Sequence, residues 1–190
     1  VGTQIAAKGH NFPHLTLVGV VDADLGLSGG DPRAGERTYQ TLVQVAGRAG
    51  RADKPGKAIL QTHDPDHEAI AALVAGDRNA FLDVERASRE MLGLPPFGRL
   101  ASVMISAQSL EKDERAAAEV ARNAPLADGV TIWGPAEPRY GVIRGRWRRR
   151  LLVRAERSVD LSAYLTVWRA RVKQPPSVRV TFDVEPYSFI

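Results

Sequence analysis

Gln44-Val45-Ala46-Gly47-Arg48-Ala49-Gly50-Arg51 is the stretch whose residue types and spacing could do chemistry. On a helix, positions three apart lie on one face, so Arg48 and Arg51 could reach a single ligand. Arginine offers a planar, always charged fork of donors, suited to phosphate and to charge developing on a transferring phosphoryl group. Gly47 and Gly50 flank Arg48, and each costs a helix interior about 1 kcal/mol relative to alanine. Bare backbone there would let another surface approach closely. The alternative is a solvated basic helix end, where Arg51 complements the negative end of the macrodipole.

Upstream, Val1-Gly2-Thr3-Gln4-Ile5-Ala6-Ala7-Lys8-Gly9-His10-Asn11-Phe12-Pro13 carries the pattern GTQ-x3-KGH-x-FP. QVAGRAGR resembles motif VI of superfamily 2 helicases, and the upstream stretch resembles motif V. With Leu94-Pro95-Pro96-Phe97 and the closing Asp183-Val184-Glu185-Pro186-Tyr187-Ser188-Phe189-Ile190, the ordered set is most similar to the primosomal protein N′ (PriA) family of bacterial replication-restart helicases. The resemblance covers nearly the whole chain. It implies that Arg48 and Arg51 face the ATP γ-phosphate and that Gln44 faces the nucleotide or its attacking water. Gly2, Thr3, Gln4, Lys8 and Gly9, with Gly47, would line the cofactor side and couple it to the translocating strand.

The same resemblance implies a parent that is an ATP-dependent helicase moving 3′ to 5′ on DNA. That parent would use ATP with Mg²⁺, recognise stalled forks and assemble the primosome in the bacterial cytoplasm. Its partners would be forked, single-stranded and duplex DNA, single-stranded DNA-binding protein and other primosome proteins. Zinc belongs to the family too, but the chain contains no cysteine, so neither disulfides nor thiolate metal sites arise within it. No G-x-x-x-x-G-K-[ST] loop cradles phosphates here. The expectation is half of an ATP site, inactive alone, in a piece of a longer protein that starts at Val1 within a motif. Two other readings stay open: another superfamily 2 helicase, and a non-enzymatic docking module from a paralogue with a decayed motor.

The elements that must position these residues begin with Leu15–Val21, a β-branched and aliphatic run that predicts a strand covered on both faces. Asp22-Ala23-Asp24 follows it, as a strand end and turn cap or as carboxylates for Mg²⁺. Residues 25–33 predict a loop, 34–49 a helix with Tyr39, Leu42, Val43 and Ala46 on its apolar stripe, and 57–62 a strand. Val1–Gln4 reads as a strand end. Together these suggest part of a RecA-like α/β lobe over 1–64. Removing its neighbours should leave an open sheet edge that favours self-association.

His63-Asp64-Pro65-Asp66-His67 holds metal-ligand types, yet Asp64 and Pro65 also suit the start of a helix. Helices follow over 67–75 and 78–92, the second with Phe81, Val84, Glu85, Ser88 and Leu92 on its packing face. They form a helical connector, 65–96, that Pro95 and Pro96 end. From 97 to 190 the reading is strand 100–106, helix 110–123, strands 129–133 and 146–153, helix 160–173 and strand 178–184. That β-α-β-β-α-β order is a small α+β domain with an antiparallel sheet and two helices.

Composition adds little by itself. Of 190 residues 44% are hydrophobic and 25% charged, which is ordinary for a globular chain. The net charge of +4 mildly favours an anionic partner. Position says more: between Pro138 and Ala155 there are seven arginines and no acid. On a strand from Arg146, Arg146, Arg148 and Arg150 share one face, and Trp147, Arg149 and Leu151 the other. With Arg139, Arg144 and Tyr140, this row could hold a nucleic-acid backbone and stack on a base. It suits an acidic carboxylate-ended peptide equally well, with Arg157 a further contact. A solvated sheet face with Trp147 partly in the core is the bland alternative.

Overall fold

The computed structural model describes residues 15–27, 30–50 and 55–187. The chain forms two compact units, Val1–Arg86 and Ala87–Ile190. The strand end expected at Val1–Gln4 lies outside the described residues.

In the first unit, β1 (Leu17–Val20) pairs in parallel with β2 (Lys57–Leu60). Between them run a 3₁₀ turn, Ala23–Gly26, and helix α1, Ala34–Ala46. The expected strand is present but is not covered on both faces: Leu17 is 55% exposed and Val21 79%. Asp24 closes the crossover. Its carboxylate accepts from Thr62 Oγ1 at 2.6 Å and from the His63 N–H at 2.7 Å, and those bonds hold its pKa below the usual value. These contacts reach the residues after β2 and not the turn that the capping reading named, where Asp22 makes no side-chain cap bond.

Helix α1 buries Thr38, Tyr39 and Leu42, while Val43, expected on the apolar stripe, is 42% exposed. On the buried side Thr38 sits close against Gly26, where a Cβ would collide with its hydroxyl. Helix α2 (Glu68–Ala75) sends Ala69 and Ala72 against Tyr39, and Ile70 against Leu42 and Ala23. Its N-cap is His67, not Asp64: His67 Nδ1 accepts from the Ala69 N–H at 3.2 Å. Asp64 instead donates its N–H to Thr62 Oγ1 at 3.0 Å, one turn too early to cap the helix. Helix α3 (Arg78–Leu92) buries Phe81, which stacks on Tyr39 at 4.2 Å. Val84 and Leu92, expected on its packing face, are 47% and 46% exposed.

The second unit contains β3 (Gly98–Ala107), α4 (Leu110–Arg122), β4 (Val130–Ala136), β5 (Val142–Ile143), β6 (Arg146–Glu156), α5 (Leu161–Arg171) and β7 (Val178–Val184). The sheet order is β4-β6-β3-β7, every pair antiparallel, with β5 folded back on β6. This is the split βαβ arrangement that the order of elements suggested. Helix α4 starts where Ser109 accepts from the Lys112 N–H, and α5 where Asp160 accepts from the Ala163 N–H.

One core joins both helices to one sheet face. Ala101, Val103 and Ile105 from β3 meet Leu151, Val153 and Ala155 from β6, under Ala117, Val120, Leu161, Leu165 and Trp168. Trp168 is fully buried, edge-on to Tyr164 and Phe182, and its indole N–H donates to the Val120 carbonyl at 2.9 Å. That bond ties α5 to α4 and removes the one polar liability of a buried indole. The short hairpin strand β5 was not apparent in the sequence.

Candidate functional site

The arginine segment at the end of α1 is built differently from a continuous helix. Helix α1 stops at Ala46, where the sequence suggested Ala49, and Gly47 is its C-cap. The Arg48 N–H donates to Val45 O at 3.1 Å and the Ala49 N–H to Ala46 O, so the chain unwinds through a tight turn. Gly50 then takes φ +75° and donates its N–H to Leu15 O at 2.9 Å, beside the start of β1. The two glycines are thus the punctuation of a helix end and not interior positions. Close approach at Gly50 does occur, and the approaching surface is the chain itself: a Cβ on Gly56 would collide with Ala49 and Gly50 backbone.

Gln44 is exposed in the last turn of α1, and half-buried Arg48 lies beyond that turn. Gln44 is thus a helix residue and Arg48 a turn residue. Arg51, Gly2, Thr3, Gln4, Lys8 and Gly9 lie outside the described residues. Among the described residues, no group of three or more His, Asp or Glu could hold a metal ion.

In the second unit, pleating decides what each arginine of β6 can do. Leu151, Val153 and Ala155 face the helices, so Arg149 and Trp147 fall on that side. Arg146, Arg148 and Arg150 alternate onto the helix-free face, opposite Ser106 and Met104 of β3. Arg146 is a clamp: its Nη2 donates to Ser106 O at 2.7 Å and to Ser177 O at 3.1 Å. Arg150 is 5% exposed. Arg148 and Trp147 are half-buried, while Arg139, Arg144 and Arg157 are exposed. The Arg139 guanidinium lies 5.7 Å from the Tyr140 ring centroid.

Arg157 does not join this group. It sits in the β6–α5 turn, just beyond the far end of an eleven-residue strand whose ends are roughly 33 Å apart at the rise of an extended chain. Arg149 is neutralised from α4 by Asp113, Nε to Oδ2 at 3.6 Å, and by Glu114. An acid-free run in sequence is thus not acid-free in space. Burial pushes the Asp113 carboxyl up to about 6, against the opposing pull of Arg149, with Glu114 and Glu137 adding to the rise.

Two features escaped sequence reasoning. Arg179 of β7 pairs with Ser106 across the sheet, on the face that Arg148 shares. A groove of about 170 Å³ lies between α4 and β7, with Lys112, Arg115 and Lys173 around Ala116, Val120, Val178 and Val180. The helical spacing of Lys112, Arg115 and Glu119 was its only trace in the sequence.

The family model of the primosomal protein N C-terminal domain matches residues 90–187. Replication restart protein PriA of Rickettsia conorii is 42% identical over all of this chain and 29% of its own length. The proteins of that name from Haemophilus influenzae and Bacillus subtilis are 36% and 35% identical over 98% of this chain, and over 26% and 24% of their own. The chain therefore spans less than a third of the curated relatives that it matches.

The burial of Asp113, only partly offset by Arg149, makes stability depend on pH. The folded pKa of about 6 exceeds the ordinary 3.8, so the native state binds more protons than the unfolded chain between those values. Stability is greatest below that window and falls as pH rises through it. Asp113→Asn is expected to raise stability on the order of 2 kcal/mol at neutral pH, with little gain near pH 4. Urea unfolding at both pH values checks this; an equal gain at both would contradict it.

Proposed function

Because the chain belongs to the primosomal protein N C-terminal domain family, we propose that it is the C-terminal part of a replication-restart DNA helicase. In that reading, 1–64 is the end of a RecA-like second motor lobe, 65–96 a helical connector, and 97–190 a docking domain. The parent is an ATP-dependent enzyme moving 3′ to 5′ on DNA that recognises stalled forks and assembles the primosome. Arg48, Arg51 and Gln44 form one wall of its ATP site, with Gly2, Thr3, Gln4, Lys8, Gly9 and Gly47 beside them. Mg²⁺-ATP supplies the phosphoryl group whose transfer drives the motor. The residues present fit that ligand only in part: arginine donors are here, and a phosphate-cradling loop is not. No hydrolytic step follows for this chain alone.

One observation carries the docking half of the reading. Exposed Arg139 and Arg144 stand with Arg148 around the β5–β6 hairpin, while the α4 acids Asp113 and Glu114 are engaged with Arg149. Such a cluster suits the evenly spaced charge of a DNA backbone and binds it without reading sequence. A second reading has its own support. Arg157 is exposed and well removed from that cluster, which leaves it for the acidic tail of single-stranded DNA-binding protein. The half-exposed faces of β1 and β2, with Leu17 at 55% and Ile59 at 49%, support self-association of the isolated lobe.

Two outcomes are expected of the purified 190-residue chain. It turns over no ATP; steady hydrolysis that disappears in Arg48→Ala would contradict the half-site. It binds duplex DNA of any sequence, with affinity falling linearly in log-log form as salt rises. Arg139→Gln with Arg148→Gln should weaken every sequence alike and reduce that slope by about 0.9 for each phosphate no longer neutralised. An unchanged slope in fluorescence anisotropy would count against the cluster.

A further inference from the structure

The two edges of the second sheet are built differently. At one edge, β4 loses its register with β6 between Trp133 and Ala136, where Gly134-Pro135 interrupts the ladder. A register break and a proline are devices by which a sheet edge refuses a further strand. At the other edge, β7 has neither, and it pairs with β3 in unbroken register from Val178 to Val184.

The outer rim of β7 is open over much of its length. The Glu185 N–H donates to Leu100 O, so odd-numbered residues turn their backbone groups toward β3 and even-numbered ones turn theirs outward. The Val178 N–H is taken by Pro175 O, and Val180 O meets only the Gln174 side chain, at 3.5 Å. Among the described residues, no hydrogen bond reaches the outward groups of Phe182 and Val184.

Side chains follow the same alternation. Val178, Val180 and Phe182 pack on the helix side, and Arg179, Thr181 and Asp183 lie on the helix-free face. Arg179 and Asp183 are exposed, and neither makes an ion pair or side-chain hydrogen bond among the described residues. Four residues of strand, about 13 Å, keep them from pairing with each other. They flank Thr181, the midpoint of β7, at equal distances. Turned end for end, the strand therefore sets a positive charge opposite a negative one. A charge on an edge repels a second copy only where that copy brings the same sign.

We propose that the outer edge of β7 is a docking site for a second copy of this chain. The two β7 strands run antiparallel about a two-fold axis at Thr181. Val180 and the partner's Phe182 exchange backbone hydrogen bonds, and the Gln174 amide gives way at Val180 O. On the helix-free side Arg179 faces the partner's Asp183, and Asp183 faces the partner's Arg179. On the helix side the Val180 and Phe182 side chains of opposite copies meet, an aromatic against a β-branched residue. A shift of two residues parts the charges: Arg179 then faces either threonine or Glu185, which already bonds Arg99. The result is one continuous sheet with the helices of both copies on one side. A single strand edge is a small interface, so the association is weak and depends on concentration. It is separate from any contact through β1 and β2.

Sedimentation velocity of the 190-residue chain, from about 5 to about 500 µM, reads this association. Arg179→Asp alone, or Asp183→Arg alone, sets like charges opposite each other and should weaken dimerisation about tenfold or more. An equimolar mixture of the two variants restores opposite signs at both positions and should regain wild-type association. One chain carrying both changes should do the same. Rescue in the mixture separates a lost contact from a misfolded variant. A wild-type chain that stays monomeric throughout would overturn the assignment, as would loss without rescue. Single variants that associate as the wild type does would overturn it and assign the contact to the first unit. A monomeric chain whose Arg179→Asp variant loses a labelled peptide of alternating acidic and apolar residues would overturn the second copy as occupant.

Discussion

The pairing of β6 with β3 is the constraint on which the second unit depends. Ten residue pairs, from Gly98 with Glu156 to Ala107 with Trp147, hold the two strands in one register. Because side chains alternate along a strand, that register assigns every arginine of β6 to a side. A slip by one residue would carry Leu151 and Val153 out of the core and put Arg150 and Leu152 in their place. The apolar core under α4 and α5 therefore determines where the charge goes. Function in this unit is a by-product of how strongly the core fixes the pleat.

Within that frame, the arginines have separate tasks. Arg149, on the helix side, meets Asp113 and Glu114 and is part of the structure. Arg146 commits its donors to carbonyls of β3 and of the loop before β7. Those at the hairpin and just beyond it, Arg139 and Arg144, remain exposed. A cluster that reads as one basic patch in sequence is thus part scaffold and part surface, and the scaffold arginines make the surface ones rigid. In the first unit the logic differs: Arg48 follows a helix that Gly47 ends, and a backbone bond from Gly50 to Leu15 holds that turn against the sheet.

Much of this was legible in the sequence where a periodic signal was long. The span of β7, the helices α2 to α5 and the split βαβ order follow from alternation and helical periodicity, to within a residue or two at the ends. The alternation of Arg146, Arg148 and Arg150 against Trp147, Arg149 and Leu151 was legible for the same reason. Signals failed where a tertiary contact decided the outcome. Asp64 looks like an N-cap, but α2 begins only at Glu68, and His67 caps it. Val43 looks like a core residue, but α1 turns Thr38, Tyr39 and Leu42 inward, with Thr38 against Gly26, and leaves Val43 exposed. The end of α1 was misplaced because glycines were read as interior positions that a ligand required. Asp113 could not be suspected of neutralising Arg149, since 36 positions separate them and only the sheet brings them together.

The central claim is that the fold divides these arginines into structural and available ones. Arginine-specific modification by phenylglyoxal, read by mass spectrometry with and without a bound oligonucleotide, tests it directly. Arg139 and Arg144 should react in the free chain and be protected by the oligonucleotide, while Arg146 and Arg149 stay slow in both states. Rapid modification of Arg149 in the free chain, or Arg139 and Arg144 reacting alike with and without nucleic acid, would contradict it.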